Sequence, residues 1–143
     1  MKWNLKQLLE KRHAYTPKAK ALLQDKEKSK ELLANVSTKA TDNKGKLAEI
    51  WSDLQLMVDM LRDWRKGAYT HLPKKSLLMI AATFLYFLSP IDFVPDFIPG
   101  GLLDDVALIA FTFKQIQQDV AAYKQWKHQQ PIETQTTGAA GAL

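Results

Sequence analysis

The chain has 143 residues, the length of one ordinary domain, and 46% of them are hydrophobic, so a packed core is possible and wholesale disorder is excluded. It contains no cysteine, which excludes a disulfide framework, a thiolate metal site and a cysteine nucleophile. The net charge of +5 is uneven, because residues 1–39 carry ten Lys/Arg and four Asp/Glu (10 − 4 = +6) and residues 40–143 carry ten and eleven (10 − 11 = −1). This asymmetry indicates either an arm that meets an anionic surface or a solvated helical face with surplus lysine.

Residues 1–45 are predicted to form a basic helical extension. A short amphipathic stretch comes first, with Trp3, Leu5, Leu8 and Leu9 set among Lys2, Lys6 and Lys11. Thr16 and Pro17 then suit the N-cap and first position of a second helix, which we expect to run to about Thr38. The start of the chain lacks the continuous apolar core of a secretory signal, so a cytoplasmic bulk is expected.

Residues 46–130 are predicted to be the folded unit. A first heptad-like seam consists of Leu47, Ile50, Leu54, Met57, Leu61 and Trp64, and Gly67 ends its helix. Residues 76–88 are apolar nearly all round, which is typical of a helix buried in protein or in lipid. A second seam consists of Leu102, Val106, Ile109, Phe113, Ile116, Val120 and Tyr123, on one long helix that ends near His128. Residues 131–143 are predicted to be a disordered tail.

The stretch SPIDFVPDFIPGGLLDD, residues 89–105, connects the last two helices of this unit. Ser89 suits an N-cap and Pro90 the first helical position, and the carboxylate of Asp92 can then reach back to the Ser89 amide. Any helix there is short, because Pro95 disfavours the helical conformation of the residue before it. Asp104 and Asp105 fall in or near the first turn of the last helix, where negative charge is favourable. We therefore expect the acids to satisfy backbone amides at a bend between two apolar helices.

The same stretch resembles the signature of the YkvA-like family, a bacterial domain of unknown function. The resemblance spans residues 74 to about 116, and the matching residues are Ser89, Pro90, Asp92, Pro95, Asp96, Pro99, Gly101, Leu103, Asp104 and Asp105. It implies a small helical domain that is often proposed to be membrane-associated, and it implies no established activity. Together with the residue patterns, it favours an all-α bundle of three main helices, with an apolar helical hairpin around the Pro/Asp-rich bend and the basic extension before it.

Association with the cytoplasmic face of the inner membrane is the functional prediction. Residues 77–88 give only about 18 Å of helix, which is too short for a simple span. The two modes of attachment that fit this length are a re-entrant hairpin and docking through the basic N-terminal helix. A hairpin would place its aspartates deep in the bilayer, at about 2.5–3.5 kcal/mol each. The residues predicted to face the membrane or another anionic surface are Lys2, Trp3, Lys6, Lys11, Arg12, Lys74, Lys75 and Lys114.

Three alternatives stay open at this point. A soluble helical module that binds a protein partner would expose the bend to water. A metal-dependent site on Asp92, Asp96, Asp104 and Asp105 would suit a hard cation, although the spacing matches no calcium loop. A non-specific nucleic-acid binder would use the N-terminal lysines, but no recognition motif is present. No catalytic residue, cofactor, metal ligand set or small-molecule substrate is predicted, so we expect a protein that is not an enzyme.

Overall fold

The computed structural model describes residues 5–88 and 101–129, with side chains for residues 6–88 and 106–129. This part of the chain is helical and has no strand, which confirms the predicted all-α fold. The helices are α1 (Leu5–Ala14), α2 (Thr16–Leu23), α3 (Lys26–Asp42), a 3-10 helix (Ala48–Ile50), α4 (Trp51–Arg65), α5 (Lys74–Leu88), α6 (Gly101–Gln115) and α7 (Gln117–His128). Lys2, Trp3, residues 89–100 and the predicted tail lie outside the described residues.

Helix α5 is the centre of the bundle. It packs against α1, α2, α3, α4 and α6, and ten of its fifteen residues are buried. The sequence predicts burial in either protein or lipid, because a helix that is apolar nearly all round must be covered on every side, and in the structure protein covers it. Its exposed residues include Lys74 and Lys75, at its N-terminus. Neighbouring helices of the same chain therefore cover most of the surface of α5 that lipid would contact in an inserted hairpin.

The described residues of both predicted seams lie in the core or pack against it. Leu54, Met57 and Leu61 of α4 have no exposed surface, and Val120 and Tyr123 of α7 are buried at 2% and 1% exposure. The predicted end of α4 is also confirmed. Gly67 has a φ of +81°, and its amide donates to the Trp64 carbonyl at 3.0 Å while the Ala68 amide donates to the Asp63 carbonyl at 2.9 Å. These two bonds close the helix in the way that a left-handed glycine allows.

The predicted helix over residues 16–38 is wrong in two respects. The chain breaks at Gln24 and Asp25, and the Asp25 carboxylate caps α3 by accepting from the amides of Glu27 at 3.0 Å and Lys28 at 3.1 Å. Thr16 is also not the cap of α2, because Tyr15 holds that position with helical dihedral angles and makes no side-chain bond. The chain turns from α1 into α2 within one residue, and no extended residue is available for a hydroxyl cap.

The single long helix predicted from residue 102 to residue 128 is also wrong, since it is divided at Ile116. Ile116 has φ −103° and ψ 22°, outside the helical region, and its side chain is buried. Its amide still donates to the Thr112 carbonyl at 3.1 Å, and its carbonyl still accepts from Val120 at 2.9 Å. Because hydrogen bonds continue on both sides, the direction changes at little cost and α7 stays on the core.

The sequence left open whether residues 1–45 pack on the bundle. In the structure α2 and α3 contribute Ala19, Leu32, Leu33, Val36 and Ala40 to the same core as α4 and α5. Ala19 has no exposed surface, and α2 and α5 are in extensive contact around it. Residues 5–45 are therefore part of the bundle, and their exposed lysines lie on its outer face.

Candidate functional site

Helices α5 and α6–α7 run antiparallel, which places the two ends of α5 in different surroundings. The Ser76 hydroxyl donates to the Asp119 carboxylate, and the hydroxyls of Thr83 and Thr112 are bonded at 2.9 Å. Further along, Tyr86 and Leu108 share a buried cluster. The N-terminal end of α5 therefore lies beside α7, and its C-terminal end lies beside the first half of α6, where residues 89–100 connect the two helices.

A buried lysine lies at the C-terminal end of α5, which we call the motif end. The Lys39 side chain is 6% exposed, and its Nζ donates to the Phe87 carbonyl at 2.5 Å and lies 4.6 Å from the centre of the Phe87 ring. A cation at this position satisfies a terminal carbonyl and is favoured by the helix dipole. Sequence reasoning missed Lys39, although it lies three residues after Val36 on the apolar face of α3.

The family-motif residues are reached only in part by the described structure. Ser89, Pro90, Asp92, Pro95, Asp96 and Pro99 lie outside the described residues. Gly101 is the first residue of α6, and Asp104 and Asp105 follow within its first turns, without described side chains. The capping roles predicted for these aspartates therefore stay predictions.

Arg12, which was predicted to face a membrane or another anionic surface, is buried instead. It is 9% exposed, and its guanidinium donates to Thr112 Oγ1 at 2.8 Å and to Gln115 Oε1 at 2.6 Å. Burial lowers the pKa of this guanidinium from its ordinary value. Together with the bond between Thr112 and Thr83, these contacts form a buried polar network that ties α1 to α5 and α6. Arg12 is thus a structural residue, because its donors are used inside the protein.

The other predicted surface cations do not form one face. Lys6 and Lys11 are exposed on α1, whose Leu8 is 2% exposed and packs with Tyr86 and Leu108 near the motif end. Lys74 and Lys75 are exposed at the opposite end of α5, and Lys114 is exposed on α6. Since Leu8 is covered by protein, its side chain is not available to enter a bilayer, and α1 presents mainly polar and charged side chains.

A concentration of lysines lies at the N-terminal end of α5, and two of its members, Lys74 and Lys75, were predicted from the sequence to face a membrane. Arg65 Nε donates to the Lys26 carbonyl at 3.1 Å, which joins the end of α4 to the start of α3. Asp63 Oδ2 accepts from Tyr123 at 2.5 Å and from Lys127 at 3.2 Å, which joins α4 to α7. We call this surface the basic end, and its exposed lysines are Lys20, Lys26, Lys66, Lys74, Lys75, Lys124 and Lys127.

Four acids at the basic end are engaged with their own neighbours, and a fifth, Glu27, is exposed beside Lys26. Asp25 caps α3, Asp63 accepts from Tyr123 and Lys127, and Asp119 accepts from Ser76. Asp59 pairs with Arg62 at 3.0 Å. These bonds hold the carboxylates in fixed positions within the bundle, and Asp63 offsets the charge of Lys127, one of the seven lysines.

Aromatic residues support the basic end from inside. Tyr69 lies 5.2 Å from Tyr123 and 4.9 Å from Trp126, measured between ring centres, in edge-on and tilted arrangements. Burial, then the hydrogen bond and charge of Asp63, raise the pKa of Tyr123 far above its ordinary value. Burial and the charge of Asp119 raise the pKa of Tyr69 in the same direction. Both phenols therefore stay protonated well into the alkaline range.

Two grooves open at the basic end. One, of about 650 Å³, runs between α4 and α7 and has a mixed lining that includes Asp59, Asp63, Trp126 and Lys127. The other, of about 300 Å³, lies between α2, α4 and α5. Its lining is apolar apart from Gln24 and two lysines, Lys20 and Lys74. The two grooves therefore offer different chemistry on the same end of the bundle.

The described residues contain neither a cluster of metal-ligating side chains nor a helix that could cross a membrane. Among the side chains that the structure describes, those of residues 6–88 and 106–129, no three histidine or acidic groups come together as a metal site would require. Within residues 5–88 and 101–129, none of the helices combines the length and apolar character needed to cross a bilayer. Asp92 and Asp96 of the acidic motif lie outside the described residues, so the metal-dependent alternative stays a hypothesis.

Comparison with known proteins shows that the segment from α5 into α6 matches a protein family. Residues 76–111, from α5 into α6, match the family described as protein of unknown function (DUF1232). The chain is similar to the uncharacterized membrane protein YkvA of Bacillus subtilis (strain 168), with 39% identity over 71 residues, covering 49% of this chain and 67% of that relative. No solved structure matches the chain.

Proposed function

Since the chain belongs to the YkvA-like family, as its motif predicted, we propose that it is a non-enzymatic accessory protein that docks on an anionic membrane surface through its basic end. The relative from Bacillus subtilis is named a membrane protein, and this supports a membrane location for the present chain. We place the protein at the cytoplasmic face, where anionic lipids attract basic segments.

The observation that carries this proposal is the convergence of seven exposed lysines from five helical segments on one end of the bundle, where Lys127 is paired with Asp63 at 3.2 Å. A lysine near an anionic bilayer contributes about 1 kcal/mol, and the attraction decays within a Debye length. Three or four lysines in contact at once are therefore sufficient for reversible, salt-sensitive binding.

The apolar helix stays inside the protein in this proposal. Helix α5 is enclosed by five neighbours, and its polar residues Ser76 and Thr83 are bonded to Asp119 and Thr112. Moving it into lipid would break these contacts without a gain in apolar burial, because lipid and the protein core are similarly apolar. We therefore favour surface docking over the hairpin insertion that the sequence also allowed.

Sedimentation with vesicles of phosphatidylglycerol and phosphatidylcholine tests the proposal. The variant Lys20→Gln/Lys74→Gln/Lys75→Gln removes three cations from the basic end. We expect it to bind anionic vesicles roughly 100-fold more weakly than wild type, which is about 1 kcal/mol for each lysine. We also expect wild type to bind pure phosphatidylcholine poorly and to leave anionic vesicles near 1 M salt, where the Debye length is about 3 Å.

A charge-matched control separates the basic end from net charge. The variant Lys6→Gln/Lys46→Gln/Lys114→Gln removes three exposed lysines outside the basic end. Vesicle binding close to wild type is expected for it. Equal weakening of the two variants, or wild type that stays in the supernatant with anionic vesicles at low salt, would overturn docking through the basic end. A gel shift with random duplex DNA tests the nucleic-acid alternative.

A second candidate, a module that binds a protein partner, is favoured by the groove between α4 and α7. Its half-buried Trp126 lies among side chains of both signs, including Asp59 and Lys124, and an aromatic centre with a polar rim is typical of protein interfaces. Absence of vesicle binding, together with a defined self-association or partner complex that Trp126→Ala abolishes, would support this function.

A further inference from the structure

The groove between α2, α4 and α5 has an apolar interior and a cationic edge. Leu72 and Leu77 are buried at 5% and 4% exposure, and Leu78 and Trp64 are half-buried along its lining. Lys20 of α2 and Lys74 of α5 are exposed beside them. Its volume of about 300 Å³ is at the lower bound of small-molecule sites in proteins.

This combination selects an amphiphile with an anionic head. The residues that line the groove include no carboxylate, so no negative charge in the lining repels an anion beside Lys20 and Lys74. The apolar lining gives a free phosphate ion nothing to bind, whereas an acyl chain gains about 0.8 kcal/mol for each methylene group removed from water. A zwitterionic head would place a cation against the same two lysines, which is less favourable.

We infer that this groove binds one anionic phospholipid, with an acyl chain against Trp64, Leu72 and Leu78 and the phosphate between Lys20 and Lys74. The inference rests on the proposed docking of the basic end, because Lys20 and Lys74 belong to both. It adds a discrete, saturable site to what is otherwise a diffuse electrostatic attraction, and it gives the docked protein a preference among lipids.

The test uses the full chain and a short lipid that stays monomeric in water, dihexanoylphosphatidylglycerol. Trp64 becomes the reporter in a variant with Trp3→Phe, Trp51→Phe and Trp126→Phe. We expect a saturable change in Trp64 emission with this lipid, a much weaker one with dihexanoylphosphatidylcholine, and none with inorganic phosphate. A response to phosphate alone, equal responses to both lipids, or no saturable response would overturn the lipid site.

Matched substitutions locate the binding. Leu78→Glu places a carboxylate in the groove, whereas Leu56→Glu makes the same change at a half-buried position in the groove between α4 and α7. We expect Leu78→Glu to weaken binding of the short lipid at least about tenfold and Leu56→Glu to leave it unchanged. Leu78→Ala, which adds no charge, serves if Leu78→Glu fails to fold, and a weakened affinity is expected there too. Equal affinity of Leu78→Ala and wild type would overturn the assignment.

The outcome for the groove is distinguishable from the outcome for membrane docking. If wild type sediments with phosphatidylglycerol vesicles while Trp64 does not respond to the short lipid, docking stands and the lipid site is wrong. If Trp64 responds to the short lipid while vesicle binding is absent, the site stands and docking is wrong.

Discussion

At the two ends of α5, lysine side chains lie in opposite surroundings, buried at one end and exposed at the other. At the motif end, Lys39 is buried, and its ammonium group is bonded to the Phe87 carbonyl at 2.5 Å. At the basic end, Lys74 and Lys75 are exposed beside lysines of four other helical segments. Lysine content in a sequence therefore does not measure the charge available to a partner, because tertiary packing decides which cations bond to groups inside the protein.

Arg12 extends the comparison. It belongs to the same basic N-terminal segment as Lys20, yet its guanidinium lies in a buried network with Thr112 and Gln115. We therefore expect substitutions of buried cations to change stability and substitutions of exposed cations to change membrane binding, with little overlap. The following substitutions test that separation, in order of decreasing effect on stability.

Phe84→Ala should give the largest loss, about 3–5 kcal/mol in the free energy of unfolding, because it removes a fully buried ring from the middle of α5 and leaves a cavity. Urea denaturation followed by circular dichroism measures the change. A loss below about 1 kcal/mol would mean that α5 is not the packed centre of the bundle.

Tyr123→Phe should cost about 1.5–3 kcal/mol at pH 7, because it removes the hydrogen bond to the Asp63 carboxylate. The pH dependence supplies a second readout. Folding raises the pKa of Tyr123, so above about pH 10 the unfolded chain releases a proton that the folded chain retains, and the stability of wild type falls as pH rises. The variant should lose stability less steeply between pH 10 and 11.5, and an unchanged slope would contradict the raised pKa.

Lys39→Met should cost about 1–3 kcal/mol, because it keeps most of the apolar length of the side chain but leaves the Phe87 carbonyl without this donor. Lys46→Met, at an exposed position, is the control and should change the free energy of unfolding little. A stabilised Lys39→Met variant would show that desolvation of the ammonium group outweighs its hydrogen bond.

Lys75→Gln should change stability least, within about 0.5 kcal/mol, because its side chain is exposed. Its main effect should be on membrane binding. We expect roughly fivefold weaker affinity for phosphatidylglycerol vesicles in the sedimentation assay, which is about 1 kcal/mol. A large loss of stability without a loss of binding would reverse the roles assigned to the two ends.

The all-α fold, the burial of the seams and the end of α4 at Gly67 followed from the sequence, because hydrophobic periodicity and glycine conformation are local properties. The break before α3 also had a local signal, since Asp25 is a favourable N-cap. The break at Ile116 had none, because an isoleucine within a regular seam gives no indication of a change in direction.

The candidate site was much less predictable. The basic end gathers lysines from residue 20 to residue 127, and no linear segment shows that concentration. The burial of Arg12 depends on Thr112, one hundred residues away. Only Lys39 had a usable signal, because it lies on the apolar stripe of α3 that includes Leu32 and Val36. Sites assembled by packing require the fold to be known first.

Single-cysteine labelling tests docking through the basic end most directly, because the natural chain contains no cysteine. A fluorophore is placed at Lys75→Cys on the basic end or at Lys46→Cys outside it, and a water-soluble quencher is added with and without phosphatidylglycerol vesicles. We expect vesicles to protect the label at residue 75 from quenching and to leave the label at residue 46 accessible. Protection at residue 46 with residue 75 still accessible would contradict docking through the basic end.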